Sequence, residues 1–304
     1  MSIKASTMAM TKYPLARFGG AQPPAARWMS QVKLTEPESR NVTVRGADIE
    51  YCTWGQGDRP GLLLVHGLFA HSRWWGPVAP LLAQEFRVAS LSLSGMGRSA
   101  WRSEYSFDMH AEEMLAVMDD AGFLDGGAKP ALVAHSFGAH SAAVLAAHHG
   151  EKLARMVMVD TGMAQDKGPS SSTKPRRYKT LREALGRFRL SPPQECQNTW
   201  LVDEVARHGL VQDTDSSWRW CFDPDYVQKL RYFNSFDVLD QSRCPLTFVY
   251  GEQSVLTPSC IRRAQQAQAP AGTTFTAIPD AAHHVMLDQP RRLATTLRQL
   301  LMTS

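Results

Sequence analysis

The stretch Ala131-Leu-Val-Ala-His-Ser-Phe-Gly-Ala-His140 constrains the fold more than any other part of the chain. Apolar residues from Ala131 to Ala134 run up to Ser136, and small residues follow at Gly138, Ala139, Ser141, Ala142 and Ala143. A short apolar run that ends at a hydroxyl and gives way to small residues predicts a buried strand turning abruptly into a helix. The bend crowds the backbone, so the positions two before and two after the Ser must be small. Here they are Ala134 and Gly138. Such a turn holds the Ser136 hydroxyl above the sheet, and the free N–H groups of the helix start point at any negative charge developing there.

Apolar runs of strand length and helical patterns alternate around this stretch. Residues 41–54 read as two strands about a turn at Gly46-Ala47-Asp48. Gly61-Leu-Leu-Leu-Val65, residues 86–93 and Met156-Val-Met-Val159 are nearly continuous apolar runs, as strands covered on both faces require. Residues 107–122 carry Met114, Leu115, Met118 and Ala121 at helical spacing, with Glu112, Glu113, Asp119 and Asp120 outside. Strands resume at 245–250 and 273–278, with helices at 258–267 and after Asp288, where Leu293, Leu297, Leu300 and Leu301 form a stripe. The alternation predicts an α/β protein with a mostly parallel, doubly wound sheet and right-handed crossovers.

It breaks between residues 161 and 243, which are polar at 165–177 and then carry helical patterns at 178–188, 196–208 and 225–232. Trp200, Trp218, Trp220, Phe222, Tyr226, Tyr232 and Phe233 all lie there. This predicts a helical insertion after the sixth strand, over the carboxyl edge of the sheet, with residues 36–160 and 244–304 forming the core. Residues 1–35 hold Lys4, Lys12, Arg17, Arg27 and Lys33 and no acid before Glu36, with Gly19-Gly20 and Pro23-Pro24 breaking any regular element. They read as a disordered tail on a cytoplasmic protein; a mitochondrial presequence is the other reading of a basic, acid-free leader.

Composition excludes several classes. A net charge of +4 on 304 residues is too small to indicate a nucleic-acid partner, and 43% hydrophobic with 20% charged residues is ordinary for a globular domain. The five cysteines are scattered without a Cys-x-x-Cys pair, so neither a disulfide framework nor a structural metal is indicated. No apolar run approaches the roughly 18 residues of a membrane span.

Four stretches, in order, resemble the α/β-hydrolase fold superfamily from about residue 41 onward. His66-Gly67 with Trp75 resembles its oxyanion loop, and Ser94-Gly-Met-Gly-Arg-Ser99 its Gly-rich turn, which often begins with Asp. Ala134-His-Ser-Phe-Gly138 resembles the Gly-x-Ser-x-Gly nucleophile elbow, with Ala at the first Gly. Ala282-His-His-Val-Met-Leu-Asp-Gln-Pro290 resembles the loop carrying the catalytic His, and counting back from Asp288-Gln289-Pro290 selects His283.

The resemblance implies a Ser-dependent, carboxylesterase-like hydrolase of esters, lactones or thioesters. Ser136 would be the nucleophile and His283 the base, with the N–H groups of Leu68 and Phe137 as the oxyanion hole. The pocket would take in His66, Gly67, Trp75, His135, Trp218 and Trp220, its partner would be a small acyl substrate, and neither metal nor organic cofactor is needed. The commonest acid position, three residues after Gly251, holds Ser254. Asp160 at the end of the sixth strand and Glu252 both remain open as the acid. A Ser nucleophile argues against dehalogenase and epoxide hydrolase chemistry. A non-hydrolytic ligand sensor, favoured by Ser254, and a lyase or cofactor-free oxygenase are the alternatives on the same fold.

Overall fold

The computed structural model describes residues 12–25, 28, 35–162 and 176–302. The main sheet contains β1 (Glu38–Val44), β2 (Ala47–Trp54), β3 (Gly61–Val65), β4 (Arg87–Leu91), β5 (Ala131–His135), β6 (Arg155–Val159), β7 (Leu246–Gly251) and β8 (Thr274–Ile278). Their spatial order is β1-β2-β4-β3-β5-β6-β7-β8. β2 runs antiparallel to β1 and β4, and the remaining pairs are parallel. The longer helices are α1 (Phe107–Asp120), α2 (Gly138–His149), α3 (Thr199–His208), α4 (Ser259–Gln268) and α5 (Pro290–Met302).

The apolar runs are continuous because the sheet is covered on both faces. Leu62, Leu64, Val133, Val157 and Val159 join one core layer, together with Leu293 and Leu297 of α5. Their neighbours Leu63, Val65, Leu132, Ala134, Met156 and Met158 join the other, with Met114 and Met118 of α1 and Ala142 and Leu145 of α2. Alternate residues of each strand therefore bury on opposite sides, and each fully buried Leu or Met contributes roughly 1.5–3 kcal/mol. The α1 helix starts where the Ser106 side chain accepts from the Met109 N–H.

The segment between β6 and β7 differs from the helical insertion expected. Helices occur at Leu181–Leu185, α3 and Tyr226–Lys229, but Leu210–Gln212 and Trp218–Trp220 form an antiparallel hairpin. Leu230–Arg231 pairs with Tyr105–Ser106 outside the main sheet. Alternating Trp218-Arg-Trp220 suits a two-faced strand, a period that the aromatic content of the region obscured. The polar stretch at 165–177 lies mostly outside the described residues.

The amino-terminal segment also departs from the expected tail. Leu15 is 2% exposed, the Arg207 guanidinium donates to the Gly20 carbonyl at 2.8 Å, and the Gln22 amide donates to Glu204 at 2.7 Å. Residues 12–25 are thus docked on the insertion, because one Leu inserts into the core layer and backbone carbonyls find side-chain donors. Residues 1–11, on which much of the presequence reading falls, lie outside the described residues. Among the described residues, no helix is long and apolar enough to cross a membrane.

Buried imidazoles make the fold acid-sensitive. Burial holds His66 and His140 at about 4 and His71 and His110 at about 3, against an ordinary 6.5. Above pH 6.5 these rings are neutral folded or unfolded, so they leave stability unchanged. Below it the unfolded chain takes up protons that the folded chain refuses, and stability falls until the folded pKa values are reached. At about 1.4 kcal/mol per pH unit for each ring, the four together remove up to roughly 5 kcal/mol per unit between about pH 6 and pH 4. Chemical denaturation at pH 7.5, 6 and 5 is expected to show a steep loss of stability, and a flat profile would show that these rings protonate without unfolding.

Candidate active site

Strand register levels the carboxyl ends of the central strands. Val65 lies opposite Ala134, His135 opposite Val159, and Val159 opposite Val249. The residues just beyond the first three ends, His66, Ser136 and Asp160, and the last residue of β7, Gly251, therefore converge at one edge of the sheet, where open α/β sheets place their sites.

Ser136 sits at φ 51°, in the left-handed region, between β5 and α2, and its N–H donates to the Val159 carbonyl at 2.9 Å. A non-glycine residue there is strained and is held by its surroundings. The requirement for small neighbours is visible in the coordinates. A Cβ on Gly138 would lie 2.3 Å from the His66 carbonyl oxygen, and one on Gly67 would lie 3.1 Å from the Ser136 Cβ. Glycine at 67 and 138 is what lets the loop after β3 lie against the elbow. In that loop Phe69 has φ 57°, and the Ala70 N–H donates to the Gly67 carbonyl at 3.2 Å. No described residue accepts from the backbone N–H of Leu68 or Phe137.

His283 Nδ1 donates to Asp160 Oδ2 at 2.7 Å, with the two side chains 3% and 0% exposed. Asp160 itself has φ 45°. Its carboxylate accepts three further hydrogen bonds, from the Gly251 N–H at 3.0 Å, the Ser254 hydroxyl at 2.6 Å and the Thr257 hydroxyl at 2.9 Å. Of the two open carboxylates, Asp160 is therefore the one on the imidazole. Glu252 is exposed. Ser254, at the position where an acid was expected, is a donor to the acid instead. The pairing of Ser254 with Asp160 spans 94 residues, and no local pattern signals it.

His135 donates from Nε2 to the His283 carbonyl at 3.0 Å, which pins the backbone of the His loop to the elbow strand. Burial and the neighbouring His283 ring hold the His135 and His284 pKa values well below the usual imidazole range. The loop is held from the insertion as well. Gln194 donates to Asp288 at 2.8 Å and accepts from the His284 N–H at 2.9 Å, and the Asn198 amide donates to the Leu287 carbonyl at 2.7 Å. Asp288 accepts from the Ala282 N–H at 2.8 Å and closes the turn around His283. Gln194, Asn198 and Thr257 carried no motif, so sequence reasoning passed over them; Ser254 was singled out only as a missing acid, and its role as a donor to Asp160 had no local signal.

Four expected pocket residues make their contacts elsewhere. His66 has both ring nitrogens engaged by backbone, Nδ1 donating to the Gly67 carbonyl at 2.7 Å and Nε2 accepting from the Leu93 N–H at 3.0 Å. It ties the ends of β3 and β4 together. Trp75 is wholly buried in the core, and Trp74 is the one whose ring meets His284, at 5.1 Å between centroids. Trp220 packs on Phe188 and Tyr178, the Trp218 backbone pairs with that of Tyr178, and both rings pack against the core layer that carries α5. Adjacent tryptophans are alike in sequence, and only packing decides which of them meets His284. His135, His283 and His284 lie together and are the described group able to hold a metal.

Known proteins show the same architecture. Over 119 residues, 39% of this chain and 44% of the relative, the sequence is 32% identical to a lipase of Mycobacterium tuberculosis. Over 126 residues it is 33% identical to a pimeloyl-[acyl-carrier protein] methyl ester esterase of Aeromonas hydrophila, covering 40% and 46% of the two chains. The matches thus span under half the length of these relatives. A thioesterase domain from the curacin biosynthetic pathway superposes with a TM-score of 0.71 at 22% identity, covering 88% of this chain and all of that one. A Mycobacterium tuberculosis esterase superposes with a TM-score of 0.65 at 21% identity over 97% and 98% of the two chains. These two share the fold. The sequence model of the alpha/beta hydrolase family matches residues 62–296, most of the chain and every strand end that meets at the elbow, so this protein belongs to the alpha/beta hydrolase family.

Proposed function

We propose that this chain hydrolyses a carboxylic ester or a related acyl bond, a lactone or thioester included, through an acyl-enzyme on Ser136. The observation that carries the reading is the buried His283–Asp160 hydrogen bond of 2.7 Å on the loop bonded to the elbow strand through His135. With Nδ1–H committed to a carboxylate, the His283 ring keeps its lone pair on Nε2, the tautomer a general base needs. His283 takes the Ser136 proton as the hydroxyl attacks the carbonyl, and the Leu68 and Phe137 N–H groups hold the oxyanion. The imidazolium then protonates the leaving alcohol or thiol, and the same ring activates water for deacylation. Asp160 offsets the charge on the ring throughout.

The names of the relatives, a lipase, a methyl ester esterase and a thioesterase domain, agree with an acyl substrate. Ser254 no longer favours a sensor with a decayed site, because its hydroxyl supports the carboxylate that replaces it. The segment between β6 and β7 acts in this reading as the cap that sets acyl preference. The test is stoichiometric labelling by a fluorophosphonate, located on Ser136 by peptide mapping, together with turnover of p-nitrophenyl esters of graded chain length, lactones and thioesters. Labelling with turnover is expected; a chain that neither labels nor turns over any of them is not a serine hydrolase.

A further inference from the structure

His135, His283 and His284 are 2%, 3% and 4% exposed, and one ring nitrogen of each lies within 4.8 Å of the others. The bonds these rings make decide which nitrogens keep a lone pair. A carbonyl can only accept, so His135 must carry its proton on Nε2, which leaves the Nδ1 lone pair free. His283 carries its proton on Nδ1 toward Asp160, which leaves Nε2 free. Neither ring nitrogen of His284 has a hydrogen-bond partner among the described residues, the Ser191 backbone being the polar group near it. A buried imidazole with neither nitrogen paired is a costly arrangement that calls for a partner.

Metal-bound histidines regularly give their second N–H to a carboxylate or a backbone carbonyl, which fixes the tautomer and aims the ring. Two of the three rings already have that outer partner, Asp160 for His283 and the His283 carbonyl for His135. Three neutral imidazoles with an open fourth position are a known donor set for zinc and similar divalent ions. At metal–nitrogen distances of about 2.0–2.1 Å, tetrahedral ligand nitrogens sit about 3.4 Å apart, so the group must close by at most about 1.4 Å from the 4.8 Å limit. His284 is the member whose ring nitrogens no hydrogen bond holds in place.

The geometry points to an inhibitory site for a divalent transition metal of the zinc class, formed by His135, His283 and His284. Its occupation takes up the His283 Nε2 lone pair, and hydrolysis stops because the base is gone. The inhibition rests on the reading of His283 as the base; the binding does not.

The experiment titrates Co²⁺ and Zn²⁺ into the wild type, Ser136→Ala and His284→Phe. Co²⁺ is followed by its visible absorption, and hydrolysis is scaled to each variant's own metal-free rate. In the wild type one equivalent of Co²⁺ is expected to bind with the strong visible absorption of a low-coordinate nitrogen site, and hydrolysis is expected to fall in step and return with chelator. Ser136→Ala is expected to bind within about threefold of wild type although it turns nothing over. His284→Phe is expected to weaken binding by at least about 100-fold, the upper end of what loss of an outer partner costs. Circular dichroism checks its fold, and His284→Leu replaces it if the larger ring disturbs the packing. Unchanged affinity in the folded His284 variant, or no stoichiometric binding in wild type and Ser136→Ala, overturns the site. Failure of the hydrolase reading would show instead as absent turnover and labelling with the cobalt band intact.

Discussion

Ser136→Ala is expected to lower ester hydrolysis by about 10⁴-fold or more while the melting temperature moves by only a few degrees. In the proposed mechanism the hydroxyl is the group that forms the acyl bond, and no described residue replaces it at the elbow. The side chain is only half-buried, so removing one oxygen opens no core cavity, and Ala inherits the strain at φ 51° that Ser already bears. His283→Ala is expected to lose as much activity, and the double variant no more than either, because nucleophile and base act as one unit. The His283 variant also leaves Asp160 buried without one of its donors, so its stability should fall further than that of Ser136→Ala. Hydrolysis above about 1% of wild type in Ser136→Ala would place the nucleophile elsewhere.

Asp160→Asn is expected to cost about 10³- to 10⁴-fold in kcat, and Glu252→Gln under tenfold. The carboxylate accepts from His283, Gly251, Ser254 and Thr257, and every one of these contacts is a donor. An asparagine must turn its NH₂ toward one of them. If it faces His283, the ring is driven to the other tautomer and the Nε2 lone pair is lost; if it faces the remaining donors, a buried N–H meets another donor. Either way the charge that offsets the imidazolium disappears. Glu252 is exposed and its carboxylate makes no comparable set of hydrogen bonds among the described residues. Because the Ser254 hydroxyl lies 2.6 Å from Asp160 Oδ2, Ser254→Asp in the Asp160→Asn background restores a carboxylate close to the lost one. Partial recovery of kcat is the expected outcome. A larger loss in Glu252→Gln than in Asp160→Asn would transfer the acid to Glu252.

Much of this protein was legible in local sequence because its physical causes are local. A strand buried on both faces must be apolar at every position, so Gly61–Val65, Ala131–His135 and Arg155–Val159 were visible as runs, and their alternation with helices implied a parallel sheet. The sharp turn at Ser136 needs small flanking residues, and the 2.3 Å approach of a Gly138 Cβ to the His66 carbonyl shows why. The position of His283 followed from its spacing to Asp288, and the structure places that ring, rather than His284, on Asp160. What the chain could not disclose locally is which distant groups meet. Asp160 and Ser254 are joined only because β6 and β7 are neighbours in register, and Gln194 reaches the His loop only once the insertion has folded back. The pairing of His283 with Asp160 rather than Glu252, the turn of Trp74 toward His284, the Trp218–Trp220 hairpin and the docking of Leu15 depend on complementary packing between segments far apart in sequence. Composition and periodicity carry no record of such partners, so tertiary structure alone decided them.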